Sequence, residues 1–152
     1  MLGFAIALDL APNFFLRSCS KPLSRASFVF YPSQSMEMGE DQFGVGPHTD
    51  FGVLTILCQD SVGGLQVQGL DGDWLEAQPI DGALVVNVGD LLARWTDGFY
   101  RSTYHRVVNS SQSSRLSLVL AFDPDPETLI DARDVFGSDH ISAEPPITCG
   151  DY

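Results

Sequence analysis

Apolar and polar positions change rhythm near Lys21-Pro22. Before that point, the apolar run Met1-Leu2-Gly3-Phe4-Ala5-Ile6-Ala7-Leu8 predicts a helix over residues 1 to about 10. Leu2 and Ile6, with Phe4 and Leu8, form its packing side, and Pro12 ends it. A second short turn carries Phe14, Phe15 and Leu16. This apolar start reads either as core or as a partner interface.

Beyond Pro22, short apolar runs alternate with turn signals at regular spacing, the pattern of an all-β sandwich or barrel. The predicted strands are Ser27–Tyr31, Val53–Cys58, Leu65–Gln68, Trp74–Ala77, Ala83–Val88, Leu91–Arg94, Thr103–Val108 and Arg115–Phe122. Gly63-Gly64, Asp71-Gly72, Asp81-Gly82 and Asp97-Gly98 supply the positive φ that tight turns need. Ser33–Gly46 and Ser110–Ser114 read as polar connections. From Asp123 onward prolines and acids dominate, predicting an irregular tail with at most one helical turn. The expected organisation is a helical segment over 1–25, a β domain over 26–124 and an irregular segment over 125–152.

Composition narrows the function classes. A formal net charge of −12 argues against nucleic acid or an anionic membrane as partner. At 44% hydrophobic residues, the chain has ample apolar material for one globular core. Cys19, Cys58 and Cys149 are odd in number and far apart, which suggests neither a zinc knuckle nor a disulfide scaffold and fits a reducing, cytoplasmic setting. The opening apolar run lacks a basic flank and is too short for a signal peptide or a bilayer span.

Chemistry concentrates in a few positions. His48-Thr49-Asp50 puts an imidazole and a carboxylate two residues apart, on one side of an extended strand. His105 follows about 55 residues later in an apolar stretch. Two imidazoles and one carboxylate are the ligand set of the facial triad that holds non-haem Fe(II). A hydrogen-bonded core histidine is the plain alternative for His105. Arg115-Leu116-Ser117 opens the last long strand, with Arg115, Ser117, Val119 and Ala121 on one face. Leu116, Leu118, Leu120 and Phe122 take the other face, which reads as core. An arginine fork beside a hydroxyl can grip a carboxylate; an edge arginine paired with a surface acid is the alternative. His140 and the acids Asp131, Asp134 and Asp139 read as solvated.

Taken together, His48-Xaa-Asp50, His105 and Arg115-Xaa-Ser117 resemble the 2-oxoglutarate- and Fe(II)-dependent oxygenases, isopenicillin N synthase-like branch. Gly46-Pro47-His48-Thr49-Asp50-Phe51-Gly52, Gly63-Gly64-Leu65-Gln66-Val67, Gly82–Asp90 and His105-Arg106-Val107-Val108-Asn109 are similar to that group as well. The resemblance implies a mostly β fold, a double-stranded β-helix or jelly-roll with a short N-terminal helix. It implies His48, Asp50 and His105 as Fe(II) ligands, and Arg115 and Ser117 as holders of the distal carboxylate of 2-oxoglutarate. Tyr31 matches a tyrosine that supports the same carboxylate in many members, or is a core tyrosine; Val29 stands where several members have asparagine. No catalytic side chain beyond the metal ligands is implied. The implied reaction consumes O2, decarboxylates 2-oxoglutarate to succinate, and hydroxylates or otherwise oxidises a small organic molecule.

Members of the group are about twice as long, with an additional N-terminal region and a C-terminal helix. The chain therefore resembles the catalytic half, and an exposed apolar surface, covered by a partner or by that missing region, is expected together with poor solubility. Phe51, Leu65 and Phe122, with Phe30 and Trp95, are candidates for a substrate pocket or for core. Two further readings remain: an isopenicillin N synthase-type oxidase that uses iron without 2-oxoglutarate, and an inactive fragment. A zinc hydrolase ranks last, because no HExxH helix is present.

Overall fold

The computed structural model describes residues 1–33, 44–108 and 113–152. Most of the expected Ser33–Gly46 connection, the Ser110–Ser114 connection as far as residue 112, and Asn109 lie outside the described residues.

Two four-stranded antiparallel sheets face each other. The first has the order β1(Arg25–Tyr31), β8(Arg115–Phe122), β3(Leu54–Gln59), β6(Val85–Val88). The second has the order β2(Val45–His48), β7(His105–Val107), β4(Leu65–Gln68), β5(Trp74–Glu76). Successive strands pass back and forth between the sheets, with only β4 and β5 adjoining as a hairpin. This is the jelly-roll that the sequence resemblance implied. Tyr31, Leu65 and Val107 form the buried seam between the sheets, with Val29, Val45, Leu57 and Val85 packed on it. The turns follow the glycines: Gly63 and Gly64, joining β3 to β4, take φ of 81° and 92°.

A second core lies outside the barrel. Phe14, Phe15, Leu91, Leu92 and Trp95 pack with Val53 and Leu54 at one end of the first sheet. Phe15 and Trp95 meet edge to face, with ring centroids 5.2 Å apart. The N-terminal helix α1(Leu2–Ala7) joins this core through Ala5, assisted by Met1, Phe4 and Leu8. Leu2 and Ile6 instead face outward. The helix stops well before Pro12, at Leu8, where the next residue, Asp9, takes a left-handed φ of 55°.

Several expectations need correction. Residues Leu91–Arg94 are not a strand but part of a helix, α2(Asp90–Trp95). Leu91, Leu92 and Trp95 are buried at helical rather than alternating spacing, and Asp90 sits in the first turn, where a negative charge suits the helix dipole. A four-residue apolar window could not distinguish the two periods. His48 ends β2, so Asp50 lies beyond the strand and not on one of its faces. Strand β2 carries Pro47, tolerated because β2 is an edge strand with an irregular register. The tail is more ordered than expected. It contains a short ladder between β9(Leu129–Ile130) and β10(Ile147–Thr148), and a single helical turn α3(Arg133–Phe136). Asp131 is buried and holds Arg133 through both carboxylate oxygens. His140 is not merely solvated: its Nε2 lies 2.8 Å from Asp97 Oδ2.

The largest inversion concerns β8. Its alternation is as expected, but Arg115 and Ser117 are the buried pair, whereas Leu116 and Leu118 are exposed. Register aligns Phe28 with Leu118 and Phe30 with Leu116, so these side chains share the outer face of the first sheet. Phe28 is 78% exposed and Phe30 64%. Val86 on β6 extends this uncovered apolar face. No helix among the described residues is long and apolar enough to cross a membrane.

Candidate metal centre

His48 and His105 arrive on neighbouring strands and are register partners across the β2–β7 ladder. Each ring is oriented by its own chain. His48 Nδ1 lies 2.8 Å from the Gly46 carbonyl, and His105 Nδ1 lies 3.1 Å from the Thr103 carbonyl. A carbonyl only accepts, so each Nδ1 carries a proton, and in the neutral ring this leaves the Nε2 lone pair for a ligand. Both Nε2 atoms face Asp50 Oδ1, at 3.9 Å from His48 and 3.6 Å from His105. One donor atom from each of the three residues lies within 4.8 Å of the others.

Asp50 is held in place by α2. Its carbonyl accepts the Asp90 N–H at 2.7 Å, and the Gly52 carbonyl accepts the Leu91 N–H at 3.0 Å. The loop thereby caps the free amides of the first helical turn. Thr49 Oγ1 donates to Asp90 Oδ2 at 3.1 Å. Asn87 Nδ2 donates to Asp50 Oδ2 at 2.7 Å. Close by, Asp123 Oδ1 accepts the Val53 N–H at 2.9 Å. Burial raises the Asp123 carboxyl above its ordinary range; the Val53 N–H and Arg25 pull it back, and the Asp50 charge adds to the rise.

A second polar group occupies the inner face of the first sheet. Arg115 is 0% exposed. Its guanidinium lies 4.7 Å from the centroid of the Tyr31 ring, and Tyr31 is its cross-strand partner. It donates a long bond from Nη1 to Ser117 Oγ at 3.4 Å and another from Nη2 to Gln59 Oε1 at 3.5 Å. Its Nε has no hydrogen-bond partner among the described residues, and no described carboxylate lies within ion-pair distance of it. A buried cation held by long bonds to neutral oxygens, with an orphaned N–H, is suited to an incoming carboxylate.

The three substrate-pocket candidates separate. Leu65 is in the inter-sheet core beside Tyr31 and Val107. Phe122 belongs to the Leu116–Leu118 face of β8, opposite the face that carries Arg115 and Ser117. Phe51 is 75% exposed, directly follows Asp50, and has its ring 6.5 Å from that of Tyr152. Trp95 is buried in the outer core. Sequence reasoning did not single out Asn87 or Gln59; the only signal for Asn87 was one amide in the otherwise apolar run Leu84–Val88.

Residues 20–124 match the model of the 2OG-Fe(II) oxygenase superfamily. A Dictyostelium discoideum protein named "Probable iron/ascorbate oxidoreductase" is 46% identical over 136 residues, covering 79% of this chain and 37% of its own length. A homoarginine-6-hydroxylase of Glycine max is 37% identical over 140 residues, covering 88% of this chain and 42% of its own. Among solved structures, a full-length Neurospora crassa protein in complex with alpha-KG and thymine superimposes with a TM-score of 0.93 at 31% identity. That match takes in 100% of this chain and 49% of the other. The chain thus spans about two fifths of the length of the curated relatives it matches. By sequence match and by structure, the chain belongs to the 2OG-Fe(II) oxygenase superfamily.

Proposed function

We propose that the protein is an Fe(II)- and 2-oxoglutarate-dependent oxygenase of the isopenicillin N synthase-like branch, acting on a small organic molecule. The observation that carries this reading is the convergence of His48 Nε2, His105 Nε2 and Asp50 Oδ1 on one point. In this reading His48, Asp50 and His105 hold the iron. Two neutral imidazoles and one carboxylate leave an Fe(II) site with one net positive charge, which favours an anionic 2-oxo acid. Arg115 and Ser117 receive the distal carboxylate of 2-oxoglutarate, supported by the orphaned Arg115 Nε. Tyr31 steadies the guanidinium, whose central carbon lies over its ring.

When bound, iron and 2-oxoglutarate supply the oxidising chemistry: O2 is consumed, the co-substrate is decarboxylated to succinate, and the substrate is oxidised. The chain's own contribution is geometric. The Gly46 and Thr103 carbonyls orient both imidazoles, and the buried arginine would hold one end of the co-substrate. Of the three pocket candidates, Phe51 is the one retained as a substrate contact, supported by its exposure and its position next to Asp50 in the chain. The uncovered face around Phe28, Phe30 and Leu118 is proposed to be covered in use, by a partner or by a further region of a longer chain. Three free thiols, one exposed, accord with a reducing, cytoplasmic location.

The test is anaerobic. Fe(II) and then 2-oxoglutarate are added to the purified protein, and the visible spectrum is recorded. A charge-transfer band that requires both components is the expected result. An iron-loaded, folded protein without the band points to the type that uses no 2-oxoglutarate. A folded protein that binds no iron refutes the metal centre in this chain.

A further inference from the structure

The two oxygens of Asp50 keep different company. Oδ1 faces the two imidazoles, 3.6 Å from His105 Nε2 and 3.9 Å from His48 Nε2. Oδ2 points elsewhere and accepts the Asn87 amide at 2.7 Å. An ionised carboxylate only accepts, so the Asn87 side chain presents its NH2 and not its oxygen. Asn87 stands on β6, paired in register with Thr55 of β3. The backbone of Asp50 is fixed independently by the Asp90 N–H on its carbonyl. The carboxylate is therefore held at both ends and its rotation is restricted.

That restriction has a chemical consequence. A carboxylate can give a metal one oxygen or both. With two imidazoles and one oxygen, three positions of an octahedron stay open, enough for a bidentate 2-oxo acid and one further ligand. With both oxygens engaged, only the 2-oxo acid fits. We propose that Asn87 is a positioning residue that holds Asp50 to one-oxygen ligation by occupying Oδ2, and so keeps the third position open. The proposal rests on the iron-site reading above.

The experiment compares the wild type with Asn87→Ala and Asn87→Leu, both checked for folding by circular dichroism. Asn87→Leu keeps the approximate size and removes the donor without adding a charge. Fe(II) affinity is titrated first, anaerobically, 2-oxoglutarate affinity is then read from the charge-transfer band of the loaded protein, and nitric oxide, a stand-in for O2 at the third position, is titrated last by electron paramagnetic resonance. Co(II) in place of Fe(II) reports coordination through its visible bands before any 2-oxoglutarate is added. In both variants Fe(II) and 2-oxoglutarate affinities should fall no more than about tenfold, the lower end of the scale for an outer partner of a metal ligand, while nitric oxide affinity falls about 100-fold, its upper end. The Co(II) bands should shift in the variants.

Unchanged nitric oxide affinity and Co(II) bands in a folded variant overturn the proposal, even if thermal stability drops. Loss of Fe(II) binding in the variants also overturns it, because Asn87 would then be needed for ligation itself. A wild type that binds no Fe(II) fails the iron-site reading, and the role of Asn87 falls with it. If Asn87→Ala does not fold, Asn87→Leu decides.

Discussion

His48 lies directly opposite His105 in the ladder between β2 and β7, with ring centroids 4.2 Å apart. The pairing brings together two residues that are distant in sequence, and the backbone carbonyls of Gly46 and Thr103 turn both Nε2 atoms the same way. A core histidine and a metal ligand differ in what their removal costs. For a ligand, His105→Ala should weaken Fe(II) or Co(II) binding by at least about 100-fold, beyond the loss typical of an outer partner. Asp50→Ala should do the same. Isothermal titration under nitrogen measures this. A variant that keeps its metal affinity and loses only thermal stability would make His105 a packing residue.

Arg115 carries a different expectation. It is fully buried, and among the described residues its hydrogen bonds are long and none is to a carboxylate, which is the basis for proposing it as the carboxylate grip. Arg115→Lys keeps the charge but loses the fork and the stacking plane over Tyr31. A charge-assisted hydrogen bond contributes about 1.5–3 kcal/mol, so Arg115→Lys should weaken 2-oxoglutarate binding about tenfold and leave iron affinity nearly unchanged. Unchanged 2-oxoglutarate binding would place the carboxylate grip elsewhere.

The site was legible where chemistry restricts residue type. His48, Asp50 and His105, whose donor atoms the fold brings together, and Arg115 and Ser117, which share a buried face, stood out in the sequence because few other side chains carry such chemistry. The alternation of β8 was legible, but not which face turns inward. Hydrophobicity put Leu116 and Leu118 inside, whereas the buried face carries the Arg115 guanidinium and the Ser117 hydroxyl. The contacts of Asn87 with Asp50 and of His140 with Asp97 span 37 and 43 residues, and no local pattern announces either. Residues Leu91–Arg94 failed for a simpler reason: the capping residue Gly89 and Trp95, which reveal the helical period, lie just outside the window.

Gly89 meets the metal-site loop through its backbone. Its φ of −95° suits any residue, so its constraint is space alone. A Cβ there would sit 2.1 Å from the Gly52 carbonyl oxygen and 3.0 Å from that of Asp50. Backbone cannot move aside as a flexible side chain would. Gly89→Ala should therefore cost about 2 kcal/mol or more in stability, as overpacking does, and displace Asp50. Urea unfolding and Fe(II) titration on the same variant read both effects. Wild-type values in both would show that the loop yields more easily than its contacts imply.

Asp125 ties the N-terminal segment to the end of the barrel. Its carboxylate accepts Ser20 Oγ at 2.6 Å, the Ser20 N–H at 3.0 Å and the Lys21 N–H at 2.5 Å. The Ser20 hydroxyl, the two amides and the Lys21 charge hold its carboxyl below the usual 3.8. The sign follows from linkage. A group whose pKa is lower folded than unfolded gives its full stabilisation above the unfolded value, here 3.8. As pH falls below that value, the unfolded chain takes up the proton first, and the stabilisation is lost through the folded pKa. Asp97, lowered by the Ala143 N–H and His140, and Asp131, lowered by Arg133, act in the same direction, while the raised Asp123 opposes them. The thermal midpoint should therefore fall between pH 5 and pH 3, and Asp125→Asn should lower the midpoint at pH 7 while flattening the acid limb. An acid limb of undiminished slope in Asp125→Asn would assign the acid sensitivity to other carboxylates.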